Sequence, residues 1–247
     1  MNQKKRIAII GATSEIAKQC AKIWSQQDGI MLTLVGRNIK RLEALASDLE
    51  VRNPKAQIDI LQSGFIAPKE IEYTVKQIFC AGPINTVLIA HGMLPQQEEC
   101  EQNLALCKET LEVNGISSVL FAEAFAMQMS ATKHGTIAVI GSVAGDRGRK
   151  SNYVYGAAKG LVTRYVQGLQ HRFAGSGVRV ILIKPGPTST PMTAMLEGKF
   201  ANASEVALDI TKGIEKKQAV IYTPRKWRLI MMIVRHLPGF IFNKINI

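Results

Sequence analysis

Tyr155 and Lys159 stand four residues apart in N-Y-V-Y-G-A-A-K-G, and Ser142 lies thirteen residues earlier in I-G-S-V-A-G. On a helix, a four-residue spacing brings the phenol and the ammonium onto one face. An ammonium beside a phenol favours the phenolate and is expected to lower its pKa from ~10 toward neutrality. A shift of ~3 units corresponds to ~4 kcal/mol of differential stabilisation. Such a tyrosine passes a proton to or from a carbinol oxygen near neutral pH. Ser142 can hold the same oxygen by a hydrogen bond. Tyr153 lacks this partner, because the residue four places on is Ala157.

A second chemical stretch is I-G-A-T-S-E-I-A-K, residues 10–18, between a short apolar run and a helical pattern. A helix N-terminus offers free N–H groups and about half a positive charge, a ready site for phosphate. Gly11 allows the tight turn, Thr13 and Ser14 add hydroxyls, and Ser14 has the N-cap residue type. Ala17 keeps helix and strand close. Glu15 stands where a glycine is usual, and is expected to turn outward and cap while backbone N–H groups and Ser14 meet the phosphates. Alone, the stretch reads equally as a cofactor loop or as an ordinary strand–helix turn. The second strand ends V-G-R-N. A carboxylate there would bind a ribose 2′-hydroxyl, whereas Arg37 suits a 2′-phosphate, which favours NADP(H) over NAD(H).

The elements that must position these groups alternate along the chain. Apolar runs predict strands over Arg6–Ile10, Met31–Val35, Ala56–Leu61, Asn85–Ala90, Thr136–Gly141, Val178–Lys184 and Ala219–Tyr222. Helical patterns fill Glu15–Gln27, Asn38–Arg52, Ile66–Phe79, Asn103–Ser130, Asn152–Ala174 and Ser204–Lys216. Strands separated by helices of this length imply right-handed crossovers. The expected fold is a single-domain α/β Rossmann-type doubly wound parallel sheet, with helices on both faces. Such sheets bind ligands at the carboxyl ends of their strands, and each motif follows a strand.

A chain of 247 residues suits one such domain, and 47% apolar composition argues against disorder. The four cysteines form no CxxC pair and have no nearby histidine at metal-ligand spacing, so no metal site is expected. They read as free thiols in a reducing cytoplasm. The basic N-terminus leads into an apolar run too short for a signal peptide, and no run reaches the ~20 residues of a membrane span.

At these residues the chain resembles the short-chain dehydrogenase/reductase family, over about residues 5–220. The resemblance rests on Gly11 at the first turn, A-H-G at 90–92, Asn114 in L-E-V-N-G, Ser142, Tyr155-x-x-x-Lys159 and P-G-P-T-S-T at 185–190, in that order. It implies hydride transfer between a nicotinamide cofactor and a carbonyl or alcohol. It assigns Tyr155 as general acid/base, Ser142 as the carbonyl orienter and Lys159 as the residue that binds the nicotinamide ribose and tunes Tyr155. Asn114 resembles the residue that holds a relay water. Pro185, Gly186, Thr188 and Thr190 should border the nicotinamide; Gly11, Thr13, Ser14, Glu15 and Ile16 should form the cofactor loop, with Ala90, His91 and Gly92 beside it. Three departures stand out. Glu15 replaces a glycine, and His91 replaces an amide or alanine and is expected mainly to pack. Gln62 sits where the family often has an adenine-contacting Asp.

The variant G-x-T-S-E-I loop, G-S-V-A-G-D-R-G-R and W-R-L-I-M-M-I-V-R-H-L-P are similar to one branch of the family. Its members are keto-sugar reductases that act with a flavin oxidase as decaprenylphosphoryl-ribose 2′-epimerase. That likeness implies a 2-keto furanose on a polyprenyl phosphate as substrate and a flavin oxidase as partner. Two other readings stay open: a reductase of another small carbonyl, acyl or steroid-like, and a non-catalytic NADP-binding partner subunit. Members of that last class often lose the tyrosine or lysine; both are kept here.

Net charge is +12, and from Lys216 to Ile247 there are seven Lys and Arg and no acid. Residues 1–223 read as the Rossmann domain and 224–247 as a basic amphipathic extension. Bases interleaved with large aliphatics suit a lipid interface, not nucleic acid; packing on its own subunit or on a partner is the alternative. The expected location is the cytoplasm, with the tail at the inner face of the membrane. Asp146, Arg147, Arg149 and Lys150 are expected to make a charged rim at the substrate mouth, and Met93–Gln102 another wall. The family resemblance also implies a homo-oligomer through the 103–130 and 152–174 helices.

Overall fold

The computed structural model describes residues 5–195 and 197–245. The outer ends of the two expected segments, 1–4 and 246–247, lie outside the described residues. The alternation read from sequence is present. In chain order it runs β1 (Lys5–Ile10), α1 (Glu15–Ser25), β2 (Ile30–Gly36), α2 (Ile39–Arg52), β3 (Gln57–Gln62), α3 (Pro68–Cys80) and β4 (Thr86–Ile89). Then come α4 (Gln97–Gln102), α5 (Leu104–Leu111), α6 (Ser117–Thr132), β5 (Gly135–Ile140), α7 (Tyr153–Arg172) and β6 (Val178–Pro185). The two-residue strands β7 (Thr188–Ser189) and β8 (Ala201–Asn202) pair with each other. α8 (Ala203–Glu215), β9 (Val220–Thr223), α9 (Lys226–His236) and α10 (Gly239–Phe242) complete the chain.

The main sheet is parallel throughout, in the order β3-β2-β1-β4-β5-β6-β9. The order reverses between β1 and β4, where Ile10 pairs with Ile89. The chain leaves both strands there and opens a crevice above their carboxyl ends.

Side-chain alternation sends β1 into two cores. Ala8 and Ile10 join Val87, Ile89 and Val139 under α3, α6 and α7, where Phe121, Phe125 and Val162 are fully buried. Ile7 and Ile9 join Leu32, Leu34 and Ile181 under α1, α2 and α8, around Trp24 and Leu42.

One expected element is broken. The 103–130 helix is interrupted by a π-helical turn, Glu112–Ile116, centred on Asn114. Asn114 Nδ2 donates to the Thr110 carbonyl (2.9 Å), which a regular helix would give to the residue 114 backbone N–H. A side chain inserted into the ladder leaves no apolar-pattern signal, so periodicity could not show it. Of the 93–102 stretch, expected to form a wall, only Leu94 lines the crevice. Gln97 Oε1 accepts from the Val154 N–H at the start of α7 (3.1 Å). Among the described residues no helix is long and apolar enough to cross a membrane, and no cluster could hold a metal ion.

Candidate active site

A cavity of about 1070 Å³ lies along the carboxyl ends of β1, β2, β4, β5 and β6. At one end it is lined by Gly11, Thr13, Ser14, Glu15, Ile16 and Arg37, in the middle by Ala90, His91 and Gly92, and at the other end by Asn114, Ser142, Tyr155 and Lys159. Pro185, Gly186, Thr188 and Thr190 cover it from β6 and the chain beyond. Of the residues singled out for the cofactor, Gln62 is the exception. Its Nε2 donates to the Arg37 carbonyl (3.1 Å), and it does not line the cavity.

Gly11 carries the first turn with φ +77°, and a Cβ there would lie 2.7 Å from the Cβ of His91. Both the backbone conformation and the close approach of the β4 loop require glycine at this position. Ser14 occupies the N-cap of α1 in extended geometry, but its hydroxyl caps nothing. Instead Ser14 Oγ is buried at the cavity with no hydrogen-bond partner among the described residues. Glu15 does not cap either. It lies along the first turn, accepting from Gln19 Nε2 (2.7 Å) and pairing with Lys18 (3.6 Å). The expectation of a capping Glu15 is therefore corrected: its i+3 and i+4 neighbours take the carboxylate, and the serine hydroxyl is what stays free.

Lys18, Lys22 and Arg41 line this end beside Arg37, a basic group that the motif reading missed. Spacing held the signal: Lys18 follows Ser14, and Arg41 follows Arg37, by one helical turn. Lys22 is paired with Asp48 (3.7 Å), which also accepts from Arg52. Asn38 caps α2 by accepting from the Arg41 N–H (3.0 Å), which fixes the first turn carrying Arg41.

His91 does more than pack. Ser117 Oγ donates to the Phe65 carbonyl, so its contact with His91 Nε2 (2.8 Å) assigns the proton to Nε2. Nδ1 is then a bare acceptor, buried and unpartnered among the described residues. Burial, then the charges of Lys159 and Arg37, push the imidazole pKa down to about 3. The unfolded ring takes up a proton near 6.5 while the folded ring stays neutral until about 3. Above the unfolded value the ring therefore has no effect on stability, and stability is lost as pH falls through that interval, because the unfolded state binds the extra proton. His91→Phe should keep the ring contacts with Phe65 and Phe121. It is expected to lose less stability than wild type between about pH 6.5 and about pH 4, read from urea midpoints. An equal loss in both proteins would refute this assignment.

At the far end, Ser142 follows β5 in extended backbone and its Oγ accepts from the Ala144 N–H (3.1 Å). Tyr155 and Lys159 rise from the first two turns of α7, as their spacing predicts. Lys159 Nζ sits 5.8 Å from the Tyr155 ring centroid and donates to the Ile140 carbonyl (3.0 Å). Asn114 Oδ1 is taken by the Met93 N–H (2.9 Å), which ties the β4 loop to the π-helical turn. The electrostatics correct the sequence expectation. Burial pushes the Tyr155 phenol up to about 12, against a smaller lowering by its hydrogen bond to Ser142, and burial pushes Lys159 down to about 8. Burial sets the direction of the shift, and the opposing cause is the Ser142 hydrogen bond. The resting tyrosine is a protonated phenol, not a phenolate.

The charged rim also resolves differently from the expectation. Asp146 is buried in a pair with Lys184 and accepts from the Tyr222 hydroxyl (3.0 Å). Arg147 is bound to the C-terminal segment through the Val234 and Leu237 carbonyls. Lys150 does not line the cavity. Only Arg149 faces in, with its Nε buried and unpartnered among the described residues, as is Asn152 Oδ1 beside it. Asn152 carried no motif and was missed.

Comparisons with known proteins agree with this fold. A family model described as short chain dehydrogenase matches residues 5–199. An uncharacterized oxidoreductase of Streptomyces coelicolor is 25% identical over 242 residues, covering 98% of this chain and 96% of that protein. Another, from Staphylococcus epidermidis, is 30% identical over 192 residues, covering 77% and 81%. Among solved structures, a short-chain dehydrogenase from Sphingobium yanoikuyae in complex with NADPH superposes with a TM-score of 0.82. It is 22% identical and covers 98% of this chain and 96% of that one.

Proposed function

Because the chain belongs to the short chain dehydrogenase family, we propose that it is an NADP(H)-dependent reductase that converts a carbonyl to an alcohol, with Tyr155 as the proton donor. The observation that carries this reading is the shared cavity. Ser142, Tyr155, Lys159 and Asn114 stand at one end, and Lys18, Arg37 and Arg41 at the other. The unpartnered Ser14 Oγ and His91 Nδ1 fit the phosphate and hydroxyl groups of a dinucleotide between them. A bound reduced nicotinamide supplies the hydride. Ser142 and Tyr155 hold the carbonyl oxygen by hydrogen bonds. Tyr155, protonated at rest, donates its proton to the forming alkoxide, and the Lys159 ammonium over its ring stabilises the phenolate left behind. Burial thus reinforces the protonated state that the phenol holds at rest.

The basic end supports NADP(H) as the preferred cofactor, since a 2′-phosphate needs cations that an NAD(H) site lacks. The Sphingobium relative of the same fold was solved with NADPH. Arg37→Ser is expected to lower kcat/KM for NADPH about tenfold while leaving that for NADH nearly unchanged. Initial rates with both cofactors check this, and equal losses would remove the preference.

For the substrate, the buried Arg149 Nε suits an anionic group and Asn152 Oδ1 a hydroxyl donor. That pair favours a hydroxylated, phosphorylated carbonyl, such as the keto-pentose on a polyprenyl phosphate implied by the branch resemblance, over a plain acyl or steroid ketone. A flavin oxidase would then be the companion enzyme. The test is a carbonyl panel containing polyprenyl-phosphate keto-pentose, followed by NADPH fluorescence. Turnover of neutral ketones alone would favour the broader reductase reading.

A further inference from the structure

We infer that α9 and α10 form a docking surface for an anionic lipid bilayer, which holds this enzyme against the membrane without crossing it. The inference does not depend on the identity of the substrate.

α9 has two apolar faces with different fates. Trp227, Met231 and Val234, spaced i, i+4, i+7, pack inward on Val143, Tyr222 and Phe242. Arg147 fastens the segment from below. Its Nη1 donates to the Val234 and Leu237 carbonyls (2.7 and 2.6 Å), and its guanidinium lies 3.8 Å from the Phe242 ring centroid. The helix is therefore held in one orientation by the domain itself. On its outer side Leu229, Met232 and Ile233 are 60%, 55% and 55% exposed, and Phe240 on α10 is 72% exposed. An anchored helix with a second, uncovered apolar face is out of balance in water.

Charge identifies what covers it. Arg225, Lys226, Arg228, Arg235 and Lys244 are all exposed around this patch. None forms an ion pair among the described residues, and no acid occurs after Glu215. A protein partner would need a matching acidic ring around an apolar centre. An anionic bilayer supplies both at once, hydrocarbon under the aliphatics and phosphates beside the bases. Eleven residues of α9 reach about 16 Å, half the thickness of a hydrocarbon core, so the helix lies in the interface and does not span it.

The surface is coupled to the cavity. The Trp227 indole lies against Gly186, where a Cβ would meet Nε1 at 1.9 Å. Gly186 and Val143 both line the cavity and both touch the tail. Docking through α9 therefore sets the cavity wall within about one helix diameter of the lipid, roughly 10 Å, where an amphipathic substrate would be presented.

The test is flotation of the full chain with NADPH and vesicles of phosphatidylcholine, with or without about 30 mol% phosphatidylglycerol. Wild type should float with the anionic vesicles, not with the neutral ones, and should be released as salt rises from about 0.1 M to about 1 M. Leu229→Ser with Ile233→Ser should reduce flotation at least about tenfold, with thermal unfolding and NADPH binding unchanged, because both side chains point outward. Arg225→Gln with Arg228→Gln should do the same. Wild type that stays with the soluble fraction, or variants that float as well as wild type, would overturn the proposal. So would a wild-type oligomer in sedimentation that the serine variant dissociates without any lipid binding, which would assign the face to a second copy of the chain.

Discussion

Tyr155→Phe should lower kcat for carbonyl reduction by about 10³-fold, with little change in NADPH affinity. The phenol is buried and its pKa is raised to about 12, so at any pH the enzyme meets it carries the proton to be donated. Phenylalanine keeps the ring under the Lys159 ammonium, 5.8 Å from its centroid in the native site, and fills the same space. What it removes is the phenol proton beside Ser142, and such general acids are worth 10²–10⁴-fold. Single-turnover NADPH oxidation separates this from a binding defect. A variant that turns over like wild type would sink the proton-donor role. A wild type that binds NADPH but reduces no carbonyl, with or without the hydroxyl, would favour the reading as a non-catalytic cofactor-binding subunit.

Lys184→Met should be the most damaging change to stability. The Lys184 ammonium and Asp146 carboxylate are each 3% exposed, and among the described residues only the Tyr222 hydroxyl gives the carboxylate another donor. Removing the ammonium strands a buried charge, at a cost of about 3–5 kcal/mol. For a chain of this size that lowers Tm by roughly 6–20 °C. The pair joins β6 to the short turn after Ser142 and, through Tyr222, to β9 at the root of the tail. Loss of NADPH-dependent activity should therefore precede global melting in the variant. The double variant Lys184→Met with Asp146→Leu should recover most of the stability, because two apolar side chains leave no orphaned charge. A single variant within about 1 kcal/mol of wild type would show that the pair carries little.

Much of the fold was legible because strand and helix periodicities differ and the signals were long. The seven strands of the main sheet fell within a residue or two of their predicted ends. The helix over 103–130 failed for a local reason. Asn114 takes the Thr110 carbonyl with its side chain, and an asparagine in an apolar helix does not announce which carbonyl it will capture. Ser142, Tyr155 and Lys159 were legible because their geometry is set by the strand end and one helical turn. Lys18 and Arg41 were legible in principle, since each follows a singled-out residue by four.

What the sequence determined by itself is the covalent order of short-range devices: Gly11 at a turn, a hydroxyl after β5, a phenol and an ammonium on one helical face. Those relations span a few residues, where backbone geometry leaves little choice. Tertiary structure decided everything that depends on burial and distant partners. It sent the Tyr155 pKa up instead of down, because burial disfavours the phenolate by more than the Ser142 hydrogen bond favours it. It also divided the charged loop, giving Asp146 to Lys184, Arg147 to the carbonyls of α9 and its C-cap, and Arg149 to the cavity. Those partners lie about 40 to 90 positions away, and a charge is spent or left free according to what folds against it.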